Sequence, residues 1–193
     1  MHPRRLIVGL SGASGLILGV RLLELLRETN VETHLVVSRA AELTYAHEMP
    51  DDPRKLRDLA DVYHASGNVG APIASGSFRT IGMVVVPCSV KTLAEVATGV
   101  TGNLLSRAAD VVLKERRRLV LVVRETPLNL VHLRNMVTVT EAGGIIVPPV
   151  PAFYSKPESV DDLVTQTACR VLDLFEVDVR KLRRWGDDVG SQK

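Results

Sequence analysis

Glycines and hydroxyls that could hold an anion stand together near the start of the chain. Residues 9–15 read Gly-Leu-Ser-Gly-Ala-Ser-Gly and follow an apolar, β-branched segment. Glycine lets the backbone turn tightly and approach a bound group, and a helix that begins after such a turn offers free N–H groups and the positive end of its dipole. This segment therefore predicts a site for a phosphate-bearing ligand.

Further hydroxyls and cations follow later apolar runs. They are Ser38 and Arg39; Ser89, Lys91 and Thr92; Arg124, Glu125 and Thr126; and Tyr154. Taken singly, the serines and Thr126 are ordinary candidates for helix N-caps, with Pro127 at a first helical position, and the cations are solvated charges. The same chemistry repeated after successive strands favours an anionic ligand instead.

The elements that must position these groups alternate along the chain. Five short β-branched runs, 5–10, 33–37, 83–86, 119–123 and 144–147, are interspersed with segments of helical period such as 15–27 and 160–174. Nearly all-apolar strands are typical of a parallel sheet buried on both faces, so we predict a doubly wound α/β sandwich of three layers. Ligands bind such sheets beyond the carboxyl ends of the strands. We predict that 49–75 is an irregular surface excursion.

Composition limits the class of protein. The 193 residues are 46 % apolar and carry 24 basic and 22 acidic side chains, which gives no basic surface for nucleic acid or a membrane. We predict one domain over 1–193, with an exposed arm from about 178. The uncharged run 6–20 is as apolar as a signal-peptide core, but its glycines favour strand, turn and helix. Cys88 and Cys169 form no C-x-x-C pair, which indicates a cytoplasmic protein without a disulfide framework.

A nicotinamide-dependent reductase is the alternative that the glycine spacing leaves open. Gly9, Gly12 and Gly15 have a spacing known from such enzymes, and Arg39 could take a 2′-phosphate. The Tyr-x-x-x-Lys pair of these reductases is absent, as is G-x-G-x-x-G. An Asp-rich D-D-x-x-D motif that would bind magnesium and a diphosphate is absent too, so we predict no metal.

Five motifs together resemble one family. Residues 11–15 (SGASG), 87–93 (PCSVKTL), 107–117 (RAADVVLKERR), 124–128 (RETPL) and 148–154 (PPVPAFY) closely resemble the flavin prenyltransferases of the UbiX type. The resemblance runs in order from about Arg5 to Trp185. It implies a flavodoxin-like or Rossmann-like flavoprotein that assembles as a homo-oligomer, a dodecamer. Older names call these proteins aromatic-acid decarboxylases.

The resemblance also implies a reaction. A dimethylallyl group would pass from dimethylallyl phosphate to N5 and C6 of reduced FMN, and the prenylated FMN would serve a decarboxylase of the UbiD type. A non-catalytic flavin-binding subunit of an aromatic-acid decarboxylase is the alternative. Whether the donor is the mono- or the diphosphate stays open.

Residue roles follow from the same resemblance. The implied flavin-binding positions are Gly12, Ala13, Ser14, Ser38, Ser89, Val90, Lys91, Thr92 and Arg124. The implied prenyl-phosphate contacts are Tyr154, Arg170, Lys114 and Arg107, the last two reaching a neighbouring subunit's site.

Three residues are expected to act in catalysis. Glu48 is predicted to accept a proton during ring closure with the help of Ser14, and Glu125 to carry a proton to or from the departing phosphate. Trp185 is either a π face offered across a subunit boundary or a side chain packed on the surface.

Overall fold

Six parallel strands form the central sheet of the computed structural model, which describes residues 3–179, 181–186 and 189. The strands are β1 (Arg4–Leu10), β2 (Val31–Val37), β3 (Val62–Ala65), β4 (Gly82–Cys88), β5 (Arg118–Val123) and β6 (Ile145–Ile146). The helices are α1 (Leu16–Leu26), α2 (Arg39–Glu48), α3 (Val90–Thr98), α4 (Leu104–Lys114), α5 (Leu130–Glu141) and α6 (Val160–Asp173).

The strand order is β3-β2-β1-β4-β5-β6, which confirms the predicted doubly wound sheet. β1 pairs in parallel with β2 on one side and with β4 on the other. The chain therefore leaves the sheet in opposite directions after these two neighbouring strands. Such a switch point opens a crevice at the carboxyl edge, where ligands of this fold class bind.

Helices cover both faces of the sheet. α1, α2 and α6 pack on one face, and α3, α4 and α5 pack on the other. Within β1, Leu6 and Val8 point to the first layer and Ile7 to the second, and all three are buried. A strand enclosed on both sides must be apolar at every position, which explains why the run 6–20 resembles a signal-peptide core although it forms β1 and the start of α1.

The predicted irregular excursion is more ordered than expected. It contains β3 at the edge of the sheet and two short 3-10 helices, Pro53–Leu59 and Pro72–Ala74. β3 pairs only with β2, and its His64 is buried with Nε2 2.9 Å from His34 Nδ1. A four-residue edge strand carrying a histidine lacks the continuous apolar run that marks a central strand, which is why the sequence pattern missed it.

The described part of the predicted C-terminal arm folds back onto the sheet layers. Val177 and Val179 are buried. The backbone N–H of Arg183 donates to Gln166 Oε1 at 3.1 Å, and Gln166 Nε2 donates to the Arg183 carbonyl at 2.9 Å. Positions 180, 187, 188 and 190–193 of the predicted arm lie outside the described residues.

Both cysteines are free and buried. Burial raises the pKa of the Cys88 thiol, and it raises the pKa of the Cys169 thiol to about 11. A thiol with a raised pKa is a poor nucleophile at neutral pH, so Cys88 acts as a small packing residue. None of the helices in the described ranges is long and apolar enough to cross a membrane.

Candidate functional site

Ser11 joins the two loops that meet at the switch point. Its hydroxyl donates to the Pro87 carbonyl at 2.9 Å and accepts from the Ser89 N–H at 2.7 Å. Ser11 is buried, so the hydroxyl has to be paired, and these two bonds fix the end of β4 against the end of β1. Ser11 is not among the site residues predicted from the sequence. A polar residue directly after an apolar strand is the sequence signal that could have identified Ser11.

The glycine-rich loop needs its glycines for two different reasons. A Cβ on Gly12 would lie 2.4 Å from Ala40 Cβ, so only glycine lets the loop pass this close to α2. Gly15 has φ 98°, in the left-handed region, and is the N-cap of α1. Between them Ala13 is buried and Ser14 is exposed at the tip of the loop. The loop therefore presents Ser14 at the crevice, next to the start of α1.

Glu48 binds the N-terminus of α1. Its carboxylate accepts from the N–H groups of Gly15 and Leu16, each at 3.0 Å, and it is also hydrogen-bonded to Ser14. Glu48 is the last residue of α2, and a negative charge there interacts unfavourably with the dipole of α2. The favourable interaction of the same carboxylate with the positive end of the α1 dipole offsets that unfavourable one.

The same contacts keep Glu48 ionised. Burial raises the pKa of the carboxyl, whereas the hydrogen bonds from Ser14, Leu16 and Gly15 and the charge of Arg124 lower it, and the net pKa lies below its usual range. The structure thus brings Glu48, Ser14 and Arg124 together, and Glu48 is available as a proton acceptor at neutral pH.

Two of the predicted serines are helix N-caps. Ser38 Oγ accepts from the Ala41 N–H at 3.1 Å and begins α2, and Ser89 Oγ accepts from the Thr92 N–H at 3.3 Å and begins α3. The Ser89 hydroxyl also donates to Thr92 Oγ1 at 3.2 Å. The capping oxygen of Ser38 leaves its hydroxyl hydrogen to donate, so capping by Ser38 is compatible with contact to a phosphate. Val90 is the first residue of α3, and Thr92 is buried in its first turn.

Thr126 does not cap a helix. α5 begins at Leu130 and is capped by Asn129, whose side chain accepts from the His132 N–H at 3.0 Å. The predicted cap at Thr126, with Pro127 at the first helical position, is therefore wrong. Asn129 is an equally good capping residue, and the sequence pattern had no means of choosing between the two. The loop 124–129, which follows β5 at the rim of the crevice, bends at Thr126 and Pro127.

A cavity of about 210 Å³ opens beside the glycine-rich loop. It is lined by Ser14, Gly15, Ile17, Leu18, Arg124, Pro149, Pro151, Leu163, Val164 and Thr167. One end carries the Ser14 hydroxyl and the Arg124 guanidinium, and the walls are mostly apolar. This combination suits a flat, largely apolar ring system that carries a phosphate.

A second, smaller cavity adjoins the first along α6. It has a volume of about 130 Å³, and its lining includes Tyr154 and Arg170 together with Thr167, which borders both cavities. Arg170 follows Thr167 by three residues, so the two side chains lie on the same face of α6. The structure thus places Tyr154 and Arg170 next to the larger cavity.

The other predicted residues do not line either cavity. Lys91 pairs with Glu95 at 2.8 Å, and Arg107 with Asp110 at 2.8 Å. Glu125 accepts from the N–H of its neighbour Thr126 at 3.0 Å.

Lys114 lies farthest from the crevice and pairs with Glu115. It ends α4 just before β5 begins, which puts it at the opposite edge of the sheet. The described ranges contain no group of three or more His, Cys, Asp or Glu side chains arranged to hold a metal ion.

The sheet order, with a glycine-rich loop at its switch point, is that of a doubly wound α/β protein of the kind that binds nucleotides. In agreement, the model of the Flavoprotein family matches residues 1–172. Within that class the chain belongs to the flavin prenyltransferase family, UbiX. It is 58 % identical to the flavin prenyltransferase UbiX of Neisseria meningitidis over 182 residues, which cover 94 % of this chain and 96 % of that one. It is 57 % identical to the Escherichia coli K12 enzyme of the same name, over 90 % and 93 % of the two chains.

Solved structures agree with this assignment. A crystal structure of AnUbiX (PadA1) in complex with FMN and dimethylallyl pyrophosphate has a TM-score of 0.94 and 54 % identity, covering 95 % of this chain and 98 % of that one. A dodecameric FMN-dependent UbiX-like decarboxylase from Escherichia coli O157:H7 has a TM-score of 0.91 and 53 % identity, covering 94 % and 98 %. The family predicted from the five motifs is confirmed, and the reductase alternative is not supported.

Proposed function

We propose that this flavin prenyltransferase transfers the dimethylallyl group of dimethylallyl phosphate to N5 and C6 of reduced FMN. One observation carries the proposal. The cavity at the N-terminus of α1 and Arg124 lies directly beside the cavity of Tyr154 and Arg170. An aromatic acceptor with a phosphate tail fits the first, and an allylic phosphate fits the second.

The flavin end would be held by the groups at the carboxyl edge of the sheet. The assigned residues are Gly12, Ala13, Ser14, Ser38, Ser89, Val90, Lys91, Thr92 and Arg124. N–H groups at the start of α3, the Ser38 hydroxyl and the Arg124 guanidinium would supply donors, so residues that follow four strands, β1, β2, β4 and β5, contribute. Glu48 lies within reach of the same loop and would accept the proton released on ring closure.

The donor end would be held by Tyr154 and Arg170. A hydroxyl and a guanidinium meet the negative charge that grows on the leaving phosphate, so no metal is needed to stabilise it. Glu125, on the rim loop, is the group that would exchange a proton with the departing phosphate.

A homo-oligomer would complete the site. Arg107 and Lys114 do not reach the cavities of their own protomer, and we assign them to a neighbouring copy's donor site. α5 exposes Leu130, Val131, Leu133 and Val137, a set of apolar side chains that an isolated protomer would leave in water. The dodecameric state of the 53 % identical relative supports a dodecamer here as well.

Two further assignments concern the protein that receives the product and the cellular location of the enzyme. The product would go to a decarboxylase of the UbiD type, which uses prenylated FMN. We place the protein in the cytoplasm, a location that two free, buried thiols suit.

Anaerobic incubation of the protein with reduced FMN and dimethylallyl phosphate tests the reaction. We expect the released flavin to gain the mass of one C5 unit, detected by mass spectrometry. A parallel incubation with dimethylallyl diphosphate shows which donor is used. Recovery of unmodified FMN with both donors would identify the non-catalytic flavin-binding subunit and refute the proposal.

Activity should survive a chelator. The leaving phosphate is assigned to arginine and tyrosine donors, which act without a metal bridge. We expect the rate of C5 transfer in excess EDTA to stay within about twofold of the untreated rate. Loss of activity that magnesium restores would show that a metal carries the leaving-group charge.

A further inference from the structure

The carboxylate of Asp173 lies between two guanidinium groups at the rim of the donor cavity. Asp173 Oδ2 accepts from Arg170 Nη1 at 3.0 Å and from Arg184 Nη1 at 3.2 Å, and Asp173 Oδ1 accepts from Arg184 Nη2. These three side chains line an outer cavity of about 390 Å³ together with Tyr154 and Trp185. Asp173 therefore ties α6 to the segment 181–186.

We propose that Asp173 is a positioning residue of the prenyl-phosphate site, which orients Arg170 and holds the segment 181–186 against Tyr154. This role rests on the proposed function, because it takes Arg170 as a ligand of the phosphate. Arg170 borders both the outer cavity and the smaller inner one, whereas Asp173 borders only the outer one. Asp173 thus acts on the arginine without standing in the inner cavity itself.

An exposed arginine needs such a partner to be useful as a ligand. The Arg170 side chain is 55 % exposed and would otherwise sample many rotamers, whose ordering weakens binding. Asp173 engages only Nη1 of its five N–H donors, so most of the guanidinium stays available to a phosphate. The hydrogen bond from Arg184 and the charges of both arginines lower the pKa of Asp173, which keeps this contact in place at neutral pH.

The second contact of Asp173 fixes the residue next to Trp185. The Trp185 ring meets the Tyr154 ring edge to face, with centroids 5.8 Å apart and planes at 89°. Trp185 is 69 % exposed, so this contact depends on how the preceding residue, Arg184, is held. Trp185 is also the only tryptophan of the sequence, so its fluorescence reports directly on the segment.

Asp173→Asn, compared with Asp178→Asn, tests the role. Both changes remove one negative charge near the end of α6, but the exposed Asp178 has no part in the contact with Arg170. For Asp173→Asn we expect KM for dimethylallyl phosphate to rise about fivefold while kcat stays within about twofold, as for a half-exposed ion pair. Competitive inhibition by inorganic phosphate should weaken by the same factor, and acrylamide should quench Trp185 more strongly. FMN affinity should not change.

Several results would overturn the role. The first is an unchanged KM and unchanged phosphate inhibition in Asp173→Asn. The second is an equal effect of Asp178→Asn on both quantities. The third is a loss of FMN binding in Asp173→Asn, which would indicate a general structural role for Asp173. Quenching of Trp185 is measured without any donor. If wild-type protein forms no prenylated flavin, the proposed function fails, and the quenching comparison still shows whether Asp173 holds the segment.

Discussion

Replacing Glu48 by glutamine should lower formation of the cyclised, prenylated flavin by about a hundredfold or more. A positioned general base contributes roughly two to four decades to a rate, and glutamine cannot accept a proton. Its amide oxygen can still accept an N–H from Gly15 or Leu16, so the N-terminus of α1 keeps a cap. A flavin alkylated at N5 but not closed at C6 should accumulate, because only ring closure releases the proton assigned to Glu48.

Product masses and absorption spectra, taken over the course of the reaction, distinguish the open from the closed flavin. Glu42→Gln is the matched control, since Glu42 lies on the same helix and pairs with Arg57 instead of the glycine-rich loop. Ser14→Ala should show the same accumulation to a smaller degree, because Ser14 acts through its hydrogen bond to Glu48. Normal amounts of closed product from Glu48→Gln would remove Glu48 from the proton transfer.

The stability that the contacts of Glu48 contribute depends on pH in a defined direction. Because the pKa of Glu48 is lowered in the folded protein, its capping contacts add stability above the ordinary carboxyl pKa. That contribution is lost as the pH falls through the lowered value. Asp173 behaves in the same way. Both groups are therefore ionised throughout the neutral range.

Periodicity predicted the central strands of this fold, predicted one edge strand too long and missed the other. The central strands are apolar on both faces, so β1, β2, β4 and β5 stand out, whereas the half-covered β3 does not. The two residues of β6 are shorter than the predicted 144–147.

The residues of the candidate site were likewise only partly predictable from the sequence. Local chemistry identified the glycine-rich loop and both capping serines, and the family resemblance supplied Tyr154 and Arg170. The contact between Glu48 and α1 joins residues more than thirty positions apart, and no local pattern predicts it. The link from Asp173 to Arg184 likewise exists only because the segment 181–186 packs against α6. Such contacts depend on tertiary packing, which the local pattern of a sequence does not reveal.

Removing the donor-site cation should separate donor use from flavin binding. For Arg170→Ala we expect kcat/KM for dimethylallyl phosphate to fall one to two decades, since a charge-assisted contact to phosphate contributes about 1.5–3 kcal/mol. Arg170 borders the cavities of Tyr154 and not the one at the glycine-rich loop, so FMN should bind as tightly as before. Steady-state kinetics over a range of donor concentrations and a titration with FMN measure the two effects.

Tyr154→Phe should act in the same direction with a smaller loss. Phenylalanine keeps the ring against Trp185 and removes only the hydroxyl, so the change isolates one hydrogen bond to the phosphate. Arg27→Ala is the control, because it removes an exposed arginine at the far end of α1. If Arg170→Ala keeps normal kinetics for dimethylallyl phosphate but binds FMN more weakly, Arg170 belongs to the flavin site instead. The cation that meets the allylic phosphate beside Tyr154 would then have to come from a neighbouring subunit.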